Sequence, residues 1–296
     1  MRGTVKDRGP RRARVREHLR LVRIGNTLVS FVGTVVGGLV ARGGGLPTDL
    51  PFLGLLVLAA LSTAGVTMGG NVLNDVLDRG SDAKNHPDRP LVRGTVSVTT
   101  ARRMVVGLFV LAVLAAVPVA LHAPWIPVVL AVAIGSLLLY EFRFKARGLP
   151  GNLLVALLTA LVFLYGGAAA DAPLVLVPFS LMAFGATLSR EIIKDMEDAA
   201  GDVGRTTLPR THGFATATAA ARASVALAIA LSPVPLLVFV PATSAAGIMY
   251  LASVLAADAL FVASVSRLPR DLHREQTLSK GAMAVALIAF LAAAFR

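Results

Sequence analysis

Six aspartates fall into two copies of one spacing, Asp-x2-Asp-x3-Asp: Asp75, Asp78 and Asp82 in the first, Asp195, Asp198 and Asp202 in the second. Each copy stands where a long apolar run ends. On a helix turning about 100° per residue, Asn71, Asp75, Asp78 and Asp82 share an arc of roughly 60°, and Glu191, Asp195, Asp198 and Asp202 repeat it. Asn74 and Lys194 lie at the edges of these arcs. Glu197 points away, so its replacement is expected to be nearly silent. Carboxylates gathered so narrowly at the rim of a hydrophobic segment repel one another and demand a counter-charge. A divalent cation carrying an anionic ligand such as a diphosphate answers that demand. A polar helix end would explain one such triplet; two matched copies argue against that plainer reading.

The elements that position these acids must be membrane helices. Of 296 residues 55% are hydrophobic and only 16% charged, and the mean hydropathy is +0.73. Charged residues this sparse cannot cover the surface of a soluble domain of that length. Nine apolar runs, at roughly 21–41, 51–73, 103–121, 125–141, 152–170, 173–193, 214–236, 243–265 and 279–295, have the length a helix needs to cross the hydrocarbon core. The expected fold class is therefore all-α, a polytopic membrane protein of nine transmembrane helices. The first run is too long for a signal-peptide core and more follow it, so it is read as retained. Residues 1–20 form a basic cytoplasmic tail, whose stretch RRARVREHLR is expected to lie against anionic headgroups; residues 21–296 form one transmembrane domain. With no cysteine, disulfides, thiolate metal sites and cysteine nucleophiles are excluded.

The formal net charge of +12 needs its distribution before it can be interpreted. All 29 Lys and Arg except Arg42, Arg222 and Arg296 fall on one side of the proposed topology. Such a bias puts the N-terminus and both acidic motifs in the cytoplasm and the C-terminus outside. It also accounts for the basicity without nucleic acid as a partner. The repeat reaches beyond the acids. Pro90 and Gly94 follow the first triplet much as Pro209 and Gly213 follow the second, and in both places a Ser/Thr-rich stretch comes next. Each Gly is expected to end its connection, with the next helix starting in the hydroxyl-rich segment. The simplest architecture has two pseudo-repeated four-helix halves plus a ninth helix, the acidic ends of the second and sixth spans facing one another, with the site between the halves.

The segment NDVLDRGSD (Asn74 to Asp82) resembles the Asn-Asp-x-x-Asp-x-x-x-Asp signature of the UbiA superfamily of intramembrane prenyltransferases, and the resemblance runs along essentially the whole chain. Arg89-Pro90-Leu91 with Gly94 is similar to that family's Arg-Pro-Leu-Pro-Ser-Gly stretch, Val92 and Arg93 replacing its Pro and Ser. Tyr140, Lys145, Gly151 and Asn152 resemble its connection between the fourth and fifth helices. Arg23 and Asn26 stand where members carry a polar cluster on the first helix. The second motif, REIIKDMEDAAGD followed by TLPRTHG, resembles archaeal digeranylgeranylglyceryl phosphate synthases.

The resemblance implies a UbiA-like fold and Mg2+-dependent transfer of a prenyl group from a polyprenyl diphosphate to a lipophilic acceptor in the bilayer. Asp75, Asp78 and Asp82 would hold one metal cluster and Asp195, Asp198 and Asp202 the other. Asp75, Asp198 and Lys145 are the residues on which turnover should depend most. Asn71, Asn74, Arg89, Lys145, Lys194 and Tyr140 would meet the donor, and Arg23 and Asn26 an acidic acceptor. An allylic cation needs a dry cavity with π-faces, for which Tyr140, Phe163, Tyr165 and Phe184 are candidates. No His is placed as an obvious general base, and Asp258, inside the eighth span, is left out of the site.

Three readings compete: geranylgeranyl transfer to geranylgeranylglyceryl phosphate in archaeal lipid synthesis, the same chemistry on an aromatic acceptor such as 4-hydroxybenzoate, and a cation-coupled transporter. Transporters concentrate charge near the bilayer midplane, whereas these carboxylates sit at span ends, so transport is the weakest of the three.

Overall fold

The computed structural model describes residues 10–45, 47–199 and 205–296, all helical or connecting, with no strand among them. Among these residues nine helices are long and apolar enough to cross a membrane, in agreement with the nine runs. They are built from α2 (Ile24–Arg42), α3 (Leu50–Leu77), α5 (Val98–Ala120), α6 (Trp125–Leu139), α7 (Leu149–Ala169), α8 (Val177–Asp198), α9 (Leu208–Leu231), α11 (Ala245–Ser266) and α12 (Leu272–Ala292). Two short helices, α1 (Pro10–Leu21) and α4 (Arg79–Asn85), lie outside the spans, and α10 (Val234–Val238) continues α9. A π-helical turn, Tyr140–Phe144, extends α6. The chain is an integral membrane protein.

Local sequence explains where these helices begin. Proline falls in the first turn of α7, α8 and α9, where its missing N–H costs nothing. Ser244 caps α11, its hydroxyl accepting from the Gly247 N–H at 3.0 Å. The two glycines matched in the repeat both take left-handed backbone, Gly94 at φ 71° and Gly213 at φ 83°. A Cβ would be strained at either place, so the helical path breaks there and resumes in the hydroxyl-rich segment that follows. Several helices outrun their apolar stretches. α12 starts at Leu272 rather than near 279, because Glu275 and Ser279 in its first turns are buried at 0% and 1% exposure.

The chain divides into two compact units. The first comprises residues 1–31 and 61–115. Its core gathers Leu21, Val22, Val72, Leu91, Val96 and Ala101, with Met68, Val76 and Met104 packed against it. Thr95 Oγ1 donates to Glu17 at 3.1 Å, tying α1 to the connection before α5.

The second unit comprises 32–60 and 116–296. Its core joins Ile193 and Met196 of α8, Ala217 and Ala221 of α9, Phe261 and Val265 of α11 and Ala282 of α12. Arg222, inside the seventh span as read from the sequence, has a structural task there. It donates from Nε to the Val265 carbonyl at 3.2 Å and from Nη2 to that of Ser266 at 3.5 Å, satisfying the end of α11. Asp258 accepts from the Ser232 hydroxyl at 2.7 Å, and Tyr250 donates to the Ser232 carbonyl at 2.8 Å. That hydroxyl sits at the break between α9 and α10, so Asp258 works as a structural partner of the interrupted helix.

Phe290 is the hub of an aromatic cluster. Its ring meets Phe163 edge-on at 5.3 Å and Phe179 at 4.8 Å. Phe163 thus serves core packing, the plainer of its two sequence readings. In a bilayer the alternative environment of Phe290 is also apolar, so packing and cavity terms dominate its worth. Phe290→Ala is expected to destabilise by about 1–3 kcal/mol, less than a similar truncation in a water-soluble core. Thermal unfolding in detergent, with the midpoint lowered and expression retained, checks this.

Candidate active site

The first acidic motif is carried across a helix junction. α3 supplies Asn71, Asn74 and Asp75, Asp78 stands at the junction, and α4 supplies Asp82. Backbone hydrogen bonds run through the break, from Asp78 N–H to Asn74 O at 2.9 Å and from Asp82 N–H to Asp78 O at 2.8 Å. The helical phase therefore survives, and Asp75 and Asp82 come to one face, 3% and 5% exposed.

Two guanidinium groups meet these buried carboxylates. Arg23 Nη2 donates to Asp75 Oδ1 at 2.7 Å and to Asn74 Oδ1 at 3.2 Å. Arg89 Nη1 donates to the same Asp75 oxygen at 3.2 Å and also to Asp82 Oδ2, so one guanidinium spans two members of the motif. Arg23 is held at φ 51° between α1 and α2, a left-handed conformation that costs a non-glycine residue about 1 kcal/mol. That strain aims its side chain at Asp75. Asn71 Nδ2 donates to the Val22 carbonyl at 3.0 Å and pins α3 to the same turn. A cleft of about 330 Å³ lies here, lined by Arg20, Arg23, Asp75, His86, Pro87, Asp88, Arg89 and Pro90. Asn26 is exposed on the first turn of α2.

The second motif ends α8. Asp195 Oδ2 accepts from Asn152 Nδ2 at 2.8 Å, and Asn152 is buried in the first turn of α7. Asp198 is the last residue of α8 and is exposed; Asp202 lies outside the described residues. Lys194 is exposed and 3.9 Å from Glu191, which also accepts from Arg190 at 2.6 Å. Lys145 follows the π-helical turn that Tyr140 opens, and its ammonium donates to Glu141 at 2.8 Å. The connection from Lys145 to Gly148 is fastened to the segment after the second motif: Thr206 N–H donates to the Ala146 carbonyl at 2.9 Å. Gly148 makes that contact possible. Its φ is 59°, and a Cβ there would come within 2.5 Å of the Thr206 carbonyl oxygen.

The structure brings together Asn74, Asp75, Asp82, Arg23 and Arg89 in the first unit, and Asp195 with Asn152 in the second. Asn152 (noted only as part of the segment resembling the family's connection between the fourth and fifth helices), Glu141 and Glu197 were not among the expected site residues. The four-residue spacing of Glu141 and Lys145 signals their pairing. Nothing in the sequence announces Asn152 to Asp195. Among the described residues no three His, Asp or Glu side chains converge as a ready-made metal cage. The donor set nonetheless suits a hard divalent cation. It consists of carboxylate and amide oxygens, and its buried carboxylates Asp75 and Asp82 are held by cationic groups in the structure, which shows that the place demands positive charge. Mg2+ needs only one or two protein carboxylates when phosphate oxygens and water complete its shell.

Residues 30–293 match the UbiA prenyltransferase family. The chain is 36% identical over 290 residues to a digeranylgeranylglyceryl phosphate synthase of Methanopyrus kandleri, covering 94% of this chain and 99% of that relative. Its fold resembles a solved structure described as a digeranylgeranylglyceryl phosphate synthase in membranes, with a TM-score of 0.79, 26% identity, and 96% and 99% of the two chains covered. A UbiA homologue from Archaeoglobus fulgidus, bound to GPP and Mg2+, shares the fold at a TM-score of 0.60 and 19% identity over 93% and 99% of the chains. From the family match along nearly its full length, the nine spans and the helical fold, the chain belongs to the UbiA prenyltransferase family.

Proposed function

We propose that this prenyltransferase moves a geranylgeranyl group from its diphosphate to geranylgeranylglyceryl phosphate, with Mg2+ as its metal. The observation that carries the reading is the pair of buried carboxylates, Asp75 and Asp82, sharing one face with two arginines in a chain of this family. The choice of acceptor is supported by the relatives of similar length named for that reaction. Mg2+ is supported by the oxygen donor set and by the metal in the Archaeoglobus fulgidus homologue. The Lys/Arg bias argues for a cytoplasmic N-terminus and cytoplasmic acidic motifs, with the C-terminus outside.

Asp75, Asp78 and Asp82 would hold one metal cluster and Asp195, Asp198 and Asp202 the other, and bound metal supplies charge neutralisation for the departing diphosphate. Asn71 and Asn74 fix the first motif against α1 and Arg23. Arg89, Lys145 and Lys194 offer hydrogen bonds to phosphate oxygens, whose negative charge grows as the C1–O bond of the donor breaks. Arg23, with Asn26 beside it, suits the phosphate of the acceptor. The prenyl C1, left as an allylic cation, is captured by the glycerol hydroxyl oxygen, which then loses its proton. Tyr140, at the head of the π-helical turn, offers a π-face to that cation. Apolar helices exclude the water that would otherwise intercept it.

Purified protein given Mg2+, geranylgeranyl diphosphate and either geranylgeranylglyceryl phosphate or 4-hydroxybenzoate is expected to form product with the glyceryl phosphate alone. Product with the benzoate alone would transfer the protein to quinone synthesis. Asp75→Asn and Asp198→Asn are each expected to lower kcat by at least about a hundredfold, and turnover near wild type in either would remove that motif from the site.

Arg89→Ala leaves Asp75 and Asp82 short of a partner. With the Arg89 side chain 26% exposed, the expected loss in the metal-free protein is about 1–3 kcal/mol, below that of a fully buried pair. Added Mg2+ should then raise the thermal midpoint more than it does in wild type; an unchanged midpoint without metal would show that Arg89 neutralises nothing.

A further inference from the structure

Glu197 interrupts the second motif without belonging to its arc, and it is not idle. Its Oε1 lies 3.1 Å from His273 Nδ1, and its Oε2 accepts from Gln276 Nε2 at 2.9 Å. Both partners stand in the first turns of α12, a region that the partial positive charge of a helix N-terminus makes favourable for a carboxylate. That end of α12 is itself fixed. Glu275, 0% exposed, accepts from the Arg267 N–H at 3.3 Å and from Arg274 at 2.9 Å.

Helical phase gives this contact its meaning. Glu197 points roughly 160° from Asp195 and 100° from Asp198. Asn152 holds Asp195 from α7, and Glu197 grips α12 from nearly the opposite side of α8. Asp198 is the final residue of α8, in the last turn, whose carbonyls have no partner further along the helix. Met196 packs that turn into the core, and the two polar contacts on opposed faces of α8 add a directional hold on its rotation.

We propose that Glu197 is a positioning residue, which through His273 and Gln276 sets the rotation of the last turn of α8 and so the aim of Asp195 and Asp198. The inference rests on the reading of those aspartates as metal ligands. It departs from the sequence expectation that Glu197 can be replaced without effect, because that expectation took no account of α12.

Mn2+ binding to the purified full-length protein in detergent, followed by the electron paramagnetic resonance of free Mn2+, tests the proposal without depending on turnover. Glu197→Ala is expected to weaken binding about tenfold, the scale at which groups orienting metal ligands act. The double variant His273→Ala/Gln276→Ala should weaken it equally, and it keeps the test open should Glu197→Ala fail to fold. Glu197→Gln, which retains an oxygen acceptor for Gln276, should recover most of the affinity. In the prenyl-transfer assay Glu197→Ala should raise the Mg2+ concentration for half-maximal rate more than it lowers kcat at saturating Mg2+. Wild-type Mn2+ affinity in both Glu197→Ala and the double variant, with binding lost in Asp198→Ala, would overturn the positioning role alone. Wild-type affinity in Asp198→Ala would overturn the metal reading of the second motif, and the positioning role with it.

Discussion

A carboxylate at the edge of a low-dielectric medium must be neutralised, hydrogen-bonded or protonated, and the rest of this structure is arranged around that requirement. Asp75 and Asp82 are almost entirely withdrawn from solvent, and both rely on Arg89, with Arg23 adding a second cation to Asp75. The same demand shapes the backbone nearby. Arg23 adopts a conformation unfavourable for a side-chain-bearing residue, and Asn71 ties α3 to the turn that presents it. The strain, the tie and the ion pairs form one local system whose common purpose is to keep negative charge tolerable where helices leave the apolar layer.

The second motif solves the problem differently. Asp195 accepts from the neutral amide of Asn152, and Asp198 at the end of α8 is exposed. Lys145 and Lys194 lie beside glutamates of their own helical segments. Each basic group is therefore stabilised by a nearby acid.

Nine spans were readable because lipid allows no shortcut: a crossing helix must be long and apolar throughout, and such runs stand out in any sequence. The shared face of Asp75 and Asp82 was readable for a similar reason, since helical periodicity persists through the junction at Asp78. What escaped the sequence depends on meetings between distant segments. Arg23 lies far along the chain from Asp75, and no spacing rule links Asn152 to Asp195. The contact of Glu197 with α12 escaped the sequence for a traceable reason. The apolar run of the ninth span begins near residue 279, so His273 and Gln276 counted as loop, whereas the helix starts at Leu272 and carries both toward α8.

The length of α3 sets a depth. Its 28 residues extend for about 42 Å, against a hydrocarbon layer of about 30 Å, and even a tilted helix of that length overshoots the layer. Asp75 comes two residues before the end of that helix, past its apolar run, where the excess length reaches toward the headgroup region. An amphiphile with a single charged head places that head at this level and its chain below. Such a ligand can reach the first acidic motif by sliding sideways in its own leaflet, without withdrawing its tail from the bilayer.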